Sequence, residues 1–377
     1  MLKILFWFCL VTGLYPYLLY PLIASAMARL FPRKINARPI SPKVSILISA
    51  FNEARHIEAT VRNKLSQDYD GWVDVWVASD ASVDGTDEIV TKLSEQDSRV
   101  HLYRQEPRQG KTSALNALAQ RARGDILVFS DANSEYAPET LRRLLEPFSD
   151  PGVGYVTGSM VYANPDGSMV GDGCSAYMRY ENWLRRTESS LGSVVGVDGG
   201  VDAVRRELYV PMRADQLPDF VLPLNVVEQG YRAVYAPSAF LKEEALNNNE
   251  AEFKMRVRVT LRALWALKDK AALMFGRAGA LFAWQLISHK LLRYLSFIPL
   301  TLAFLSSALL AMHSEFYAVL FVLYSITLAL AWAGFKGVNL SVARYAYYFS
   351  LLNIASATAT WKFLRGQKQV LWTPRVG

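Results

Sequence analysis

Three short polar clusters carry the side chains best suited to chemistry. They are Ala50-Phe51-Asn52-Glu53-Ala54, Ser79-Asp80-Ala81-Ser82-Val83-Asp84-Gly85-Thr86 and Ser130-Asp131-Ala132-Asn133-Ser134. Each follows an apolar run and collects acidic or amide side chains. Gly110-Lys111-Thr112 adds an ammonium between the second and third clusters. Plainer uses exist for each: Asp84-Gly85-Thr86 suits a turn and helix cap, Asn52 a cap, and Lys111 a solvated surface. Gly110-Lys111-Thr112 also imitates the end of a phosphate loop. That pattern needs a glycine five residues earlier, where Gln105 stands, so a P-loop NTPase is excluded. The histidines His56, His101, His289 and His313 show no metal-ligand spacing, and no Gly-x-Ser-x-Gly elbow occurs.

The elements that must position these clusters alternate. Apolar strand-like runs are Val44–Ser49, Val73–Ala78, Val100–Tyr103, Ile126–Ser130 and Val153–Thr157. Helical patterns cover Ile57–Leu65, Asp87–Leu93, Ser113–Arg121 and Pro138–Pro147. Strand–helix alternation with short connections predicts an α/β parallel sheet. Ligands of such a sheet sit beyond the C-terminal strand ends, where the three clusters collect. A dinucleotide-binding oxidoreductase would need Gly-x-Gly-x-x-Gly after the first strand; Ala50-Phe51-Asn52-Glu53 stands there instead.

Taken in order, Val44–Glu53, the Asp80-x-Ser82-x-Asp84-x-Thr86 pattern, Gly110-Lys111 and Ser130-Asp131-Ala132-Asn133 resemble family 2 glycosyltransferases of the GT-A fold. The resemblance is to the membrane-bound branch that includes cellulose, chitin and hyaluronan synthases. Downstream, Gly199–Leu208 resembles the family's acceptor-side segment, and Pro218-Asp219-Phe220 with Glu228–Arg232 resembles the segment carrying the base. Motifs cover about residues 43–265.

The resemblance implies a set of roles. Asp131 takes the first position of the family's D-x-D metal motif, and the second is Asn133, a neutral oxygen ligand. Asp80 contacts the nucleoside, while Glu53 and the backbone of Ala50–Asn52 line the uracil and ribose pocket, with Lys111 near. Asp219 matches the base that takes the acceptor hydroxyl's proton during inversion; its plainer use is as N-cap of a helix starting near Pro223. Asp198 and Asp202 read as pocket-lining carboxylates. The Q-x-x-R-W motif of processive synthases is missing, because Gln229–Ala233 precedes a strand at Ala233–Tyr235 and the expected helix reads Glu252–Arg258. Arg256 and Arg258 there suit a diphosphate or a lipid headgroup. The implied enzyme is an inverting, hexosyltransferase-like protein using Mg²⁺ or Mn²⁺. It moves sugar from a nucleotide donor, UDP-linked by resemblance, to a lipid-linked or growing polysaccharide acceptor for cell-surface glycan. The departure from Q-x-x-R-W favours single transfer; a processive synthase, or a scaffold that lost its chemistry at Asn133, are the alternatives.

Composition sets the surroundings. The 377 residues suffice for two to three domain-sized units, and 51% hydrophobic with 20% charged residues is neither disordered nor wholly membranous. Cys9 and Cys174 alone exclude a disulfide framework. Residues 251–377 hold 15 Lys+Arg against 3 Asp+Glu, and 1–250 hold 26 against 31. Because the basic half also carries long apolar runs, anionic membrane lipid fits as its partner better than nucleic acid.

Ile4–Ala28, flanked by Lys3 before and Arg29, Arg33, Lys34 and Arg38 after, reads as a span with its C-terminal end inside. The alternative, a signal peptide ending at Ala24-Ser25-Ala26, is at odds with the run's length and with Pro16 and Pro21. Tyr294–Met312 and Phe316–Phe335 read as two more spans, and Tyr345–Trp361 as a third, weaker stretch with Asn353 inside it. Its basic flank Lys362, Arg365, Lys368 and Arg375 favours the inner side, so this stretch is either re-entrant or interfacial, or at odds with the charge rule. Glu252–Asp269 and Ala280–Leu292 suit helices on the inner membrane face. The predicted organisation is a transmembrane helix at 1–30, a GT-A domain at 43–245, interfacial helices at 250–293 and a transmembrane region at 294–363. The protein would be a multi-pass bacterial inner-membrane protein with a cytosolic catalytic domain and, by the nature of such systems, possible partner subunits of a polysaccharide assembly.

Overall fold

The computed structural model describes residues 1–163, 169–244 and 249–371. The chain forms two compact units. One holds Phe31–Ala163, Glu181–Glu244 and residues 369–371; the other holds Met1–Leu30, the residues of the helix Met169–Leu191 up to Tyr180, and the described residues from 249 to Lys368.

The first unit is built on an eight-stranded mixed sheet. Its strands are β1 (Val44–Ala50), β2 (Val73–Asp80), β3 (Val100–Gln105), β4 (Ile126–Asp131), β5 (Glu135–Tyr136), β6 (Val153–Ala163), β7 (Asp202–Arg205) and β8 (Arg232–Glu244). They lie in the order β3-β2-β1-β4-β7-β6-β8-β5. Every residue of β1 is buried, as a run of Val, Ile, Leu, Ser and Ala between two parallel neighbours demands. Val44 aligns with Val73 of β2 on one side and Ile126 of β4 on the other. β3, half-exposed along its middle, forms one edge.

The sheet departs from the expected parallel pattern at β7, which runs antiparallel to both β4 and β6, and at β5, antiparallel to β8. Asp202-Ala203-Val204-Arg205 has only two apolar residues between charges, so no periodicity marked it as a strand. The first helix lies at Ile57–Leu65, as the pattern predicts; the next two, Thr86–Gln96 and Lys111–Arg121, start one and two residues earlier than their apolar positions indicated. The helix bearing Asp219 starts at Pro218, well before Pro223, which lies inside it. Proline at the first helical position costs nothing, since its missing N–H would have no helical partner there. Asp219 therefore sits in the helix's first turn and Leu217 is the N-cap.

The second unit is helical. The expected span Ile4–Ala28 is two helices, Leu2–Leu14 and Leu19–Leu30, bent by 54° at a break containing Pro16. A second pair, Ala280–Leu295 and Phe297–Ala311, is bent by the same 54°. Glu315–Phe335 is the one helix among the described residues long and apolar enough by itself to cross a bilayer; each bent pair reaches that length only if both halves count as one span. Ser341–Leu364 continues through Asn353, whose Nδ2 donates to Phe349 O at 3.0 Å. Cys9 is a buried free thiol, and the Cys174 side chain lies outside the described residues, as does the tail beyond Leu371.

Candidate functional site

The loops at the C-terminal ends of β1 and β2 are laced together by their own polar side chains. Asn52 takes a left-handed backbone, φ 54°. Its N–H donates to Ser82 Oγ at 3.0 Å, and its Oδ1 accepts from Val83 N–H at 3.0 Å. Glu53 N–H donates to Thr86 Oγ1 at 2.9 Å and Ala54 N–H to Asp84 Oδ2 at 2.9 Å. Asp84 thus caps two segments at once, and the hydrogen bonds from Thr86 and Ala54 outweigh its desolvation to hold its carboxyl below the usual range. Asn52, a cap in the plainer reading, instead ties the β1 loop to the β2 loop.

Asp80 ends β2 with its side chain fully buried. Its carboxylate accepts from Gln105 Nε2 at 2.5 Å, from Gln109 N–H at 2.9 Å and from Gly110 N–H at 3.1 Å; Arg108 Nε approaches at 3.4 Å. The Arg108 guanidinium in turn lies 3.4 Å over the Phe51 ring. Asp80 therefore fixes residues 105–110, and through them the start of the helix Lys111–Arg121.

That start aims Lys111 at two carboxylates. Its Nζ donates to Asp131 Oδ1 at 2.6 Å and lies 3.8 Å from Asp219 Oδ1. Burial alone would pull the ammonium's pKa down, but Asp131 first and then Asp219 outweigh it and hold it above the ordinary lysine value. The side chains stay partly open to solvent: Lys111 21%, Asp131 33%, Asp219 25% exposed. Glu53 is pushed up to about 7 by burial, then by the charges of Asp131 and Asp84.

The Asp131–Ser134 loop is held from behind by one helix. On Ile57–Leu65, Thr60 Oγ1 donates to Ala132 O at 2.7 Å and Lys64 Nζ to Ser134 O at 2.6 Å. Asn63 exchanges two 2.9 Å bonds with the Tyr136 backbone. Lys64 is 1% exposed and lies 3.7 Å from the Tyr136 ring centroid. Desolvation lowers its pKa to about 7 against the pull of Glu135 and Asp131. Sequence reasoning passed over all three residues, although their i, i+3, i+4 spacing marks a single polar face on a helix that should bury one side.

Gly199 and Gly200 close the site from the acceptor-side segment. Both have positive φ, 83° and 79°. A Cβ on Gly199 would lie 2.7 Å from Asp219 Cγ, and one on Gly200 would lie 3.5 Å from Asp131 Oδ2 and 3.3 Å from Ser134 Oγ. Only glycine lets backbone lie against both carboxylates in that conformation. Asp202, 1% exposed on β7, is raised to about 8, chiefly by burial, against a hydrogen bond from Thr157 and with Asp219 and Asp198 adding to the rise. Asp198 is bound bidentately by Arg185.

The donor set admits a divalent cation of one kind. Asp131 offers a carboxylate, Asn133 in the same loop an amide oxygen, and Ser134 a buried hydroxyl with no hydrogen-bond partner. Among the described residues no three His, Cys, Asp or Glu converge as ligands. This suits a cation that takes most of its ligands from phosphates and water, as Mg²⁺ does.

Arg256 and Arg258 belong to the helical unit, on the helix Asn249–Asp269. Arg256 Nε donates to Glu252 Oε1 at 2.8 Å and its NH2 to Tyr348 Oη at 2.8 Å; Arg258 is half-buried.

Residues 45–204 match the family described as Glycosyl transferase family 2. The chain is 29% identical over 169 residues to a beta-monoglucosyldiacylglycerol synthase of Trichormus variabilis, covering 44% of this chain and 36% of that one. It is 25% identical over 201 residues to a poly-beta-1,6-N-acetyl-D-glucosamine synthase of Staphylococcus aureus, covering 52% and 48%. The chain thus spans half or less of the length of these relatives. Among solved structures, the mannosyltransferase PcManGT from Pyrobaculum calidifontis, in complex with GDP-Man and Mn²⁺, superposes with a TM-score of 0.76 at 23% identity. That likeness covers 97% of this chain and 100% of that one, and it identifies a shared GT-A-like fold.

Proposed function

We propose, for a chain that carries a family 2 glycosyltransferase domain, that it transfers a sugar with inversion from a nucleoside diphosphate donor to a membrane-associated acceptor. The carrying observation is Lys111, whose single ammonium reaches both Asp131 at 2.6 Å and Asp219 at 3.8 Å. Family resemblance assigns the first carboxylate to the donor's diphosphate and the second to the acceptor, and one ammonium lies near both.

In this mechanism the acceptor hydroxyl oxygen attacks the anomeric carbon as the bond from that carbon to the phosphate oxygen breaks. The hydroxyl proton passes to the Asp219 carboxylate, on the face opposite the departing diphosphate. Lys111 places its positive charge 3.8 Å from the Asp219 carboxylate that would take the proton. Asp131, Asn133 and Ser134 would hold Mg²⁺ or Mn²⁺, which when bound supplies positive charge against the diphosphate. Glu53 and the Ala50–Asn52 backbone border the nucleoside side, with Asp80 shaping that pocket by fixing residues 105–110. UDP is the nucleotide proposed. The acceptor is a lipid-linked or polysaccharide glycan, and transfer of single sugars is favoured over processive synthesis because Q-x-x-R-W is missing. The helical unit would anchor the protein in the inner membrane, with Arg256 and Arg258 at the lipid or diphosphate.

Turnover of a panel of labelled UDP-sugars and GDP-mannose, with Mn²⁺ and membrane extract as acceptor, tests the proposal. Sugar transfer that disappears in Asp219→Asn supports it, and turnover indifferent to that change overturns it.

A further inference from the structure

The chain that leads into the helix bearing Asp219 has no ladder of its own. After the 3₁₀ turn Arg206–Leu208, residues 209–217 run without strand or helix. Leu217, the N-cap of Pro218–Glu228, has no side-chain oxygen to offer the first helical N–H groups. A helix start without such a cap is placed by whatever holds the chain before it.

The hold comes from the helix Lys111–Arg121. Thr112 and Asn116 are one turn apart and share a face, and they meet the segment near each end. Thr112 Oγ1 donates to Gln216 O at 2.8 Å. Asn116 Nδ2 donates to Met212 O at 2.6 Å, while its Oδ1 accepts from Met212 N–H at 3.0 Å and from Tyr209 Oη at 2.7 Å. A side-chain amide offers a donor and an acceptor side by side, so Asn116 serves Met212 as a neighbouring strand would. Met212 is buried, and its backbone groups need such partners. Between the two anchors, Arg213 N–H donates to Gln216 Oε1 at 3.0 Å and Gln216 N–H to Arg213 O at 2.9 Å, closing a turn. The Tyr209 ring also stacks 6.1 Å from Phe129, two residues before Asp131 on β4.

The same helix begins with Lys111, 2.6 Å from Asp131 and 3.8 Å from Asp219. One element thus carries both the ammonium beside the donor-side carboxylate and the bonds that hold the chain leading to the base. We infer that Asn116, aided by Thr112, is a positioning residue: it sets Asp219 in register with the donor site by clamping residues 209–217 to the helix Lys111–Arg121. Its effect passes through the clamped segment, and misplacing a reacting group by about 1 Å costs about 10²-fold in rate. The inference rests on Asp219 being the base, as proposed above, but the clamp itself is measurable without turnover.

The test uses the full chain in detergent as wild type, Asn116→Ala, Thr112→Val and the conservative Thr112→Ser. Amide exchange read by mass spectrometry is expected to speed up about tenfold or more across residues 209–217 in Asn116→Ala and to stay unchanged in β1. With the labelled donor that wild type turns over best, kcat is expected to fall about 10- to 100-fold in Asn116→Ala and Thr112→Val. Thr112→Ser keeps the hydroxyl and should stay near wild type. The donor KM, and the Mn²⁺-dependent affinity for that donor's nucleoside diphosphate, should hold within about twofold throughout. Unchanged exchange in residues 209–217 would overturn the clamp, and faster exchange with kcat unchanged would overturn the positioning role. Nucleotide affinity lost in step with kcat would reduce both residues to supports of the fold. No transfer by wild type would remove the sugar-transfer reading and the positioning role together, with exchange still deciding the clamp. If Asn116→Ala does not fold, the contrast of Thr112→Val with Thr112→Ser in the same two readouts decides.

Discussion

Asp131 and Asp219 would repel each other across a shared opening, and Lys111 offsets that repulsion only while it carries its charge; the paired carboxylates hold its pKa above the ordinary value, so it does. Replacing Asp219 by Asn removes the proton acceptor and leaves the Lys111–Asp131 pair intact. The expected loss is about 10²- to 10⁴-fold in kcat, with nucleotide affinity little changed; single-turnover kinetics beside calorimetry separate the two. Asp202 carries a different signature. Its folded value of about 8 lies well above the roughly 3.9 of an unfolded Asp. Between those limits the folded protein keeps a proton that the unfolded chain has released, so stability falls as pH rises through the window and levels off above it. Asp202→Asn abolishes this term. The variant's unfolding temperature, relative to wild type, should climb from about pH 4 to about pH 8; a constant difference across that range would mean that Asp202 is ionised in the fold.

At the scale of elements, the helix Ile57–Leu65 acts as a bracket for the Asp131–Ser134 loop. Lys64→Met leaves the Ser134 carbonyl without its 2.6 Å donor, and a buried unsatisfied carbonyl costs about 1–3 kcal/mol. We expect a lower unfolding temperature and weaker Mn²⁺-dependent nucleotide binding, both measurable on detergent-purified protein, whereas Lys92→Met on the solvent face of the next helix should change neither. Strand ends and their polar clusters were legible because β2 and β4 are buried runs ending in Asp80 and Asp131, and β1 is one with Asn52 just beyond it. The bracket was not, because Lys64 reads as a surface residue until its Nζ is seen against Ser134 O and the Tyr136 ring. The antiparallel β7 escaped notice because its two apolar residues give no period. Pro16 was visible, but that it bends the first apolar run by 54° rather than merely interrupting it depends on packing within the helical unit. The Gly199-Gly200 pair stood out only as the start of a segment resembling the acceptor side; that it lies against two carboxylates is a matter of tertiary contact.

At the scale of the molecule, a sheet-based unit with the features of a glycosyltransferase domain shares one chain with a helical unit in which, among the described residues, one helix is by itself long and apolar enough to cross a bilayer. If the helical unit is an anchor, alkaline carbonate should leave the protein in the membrane pellet; release into the supernatant would make the association peripheral. Short products, one or a few sugars per acceptor, are expected from labelled donor, and ladders of long chains would replace single transfer by processive synthesis. The most direct test of the central claim is calorimetry of nucleoside diphosphates, UDP and GDP among them, with and without Mn²⁺, on wild type and Asp131→Ala. The account predicts binding that requires Mn²⁺ and is lost in the variant. Binding of equal strength without the metal and in Asp131→Ala, or none for any nucleotide, would contradict a donor site at the end of β4.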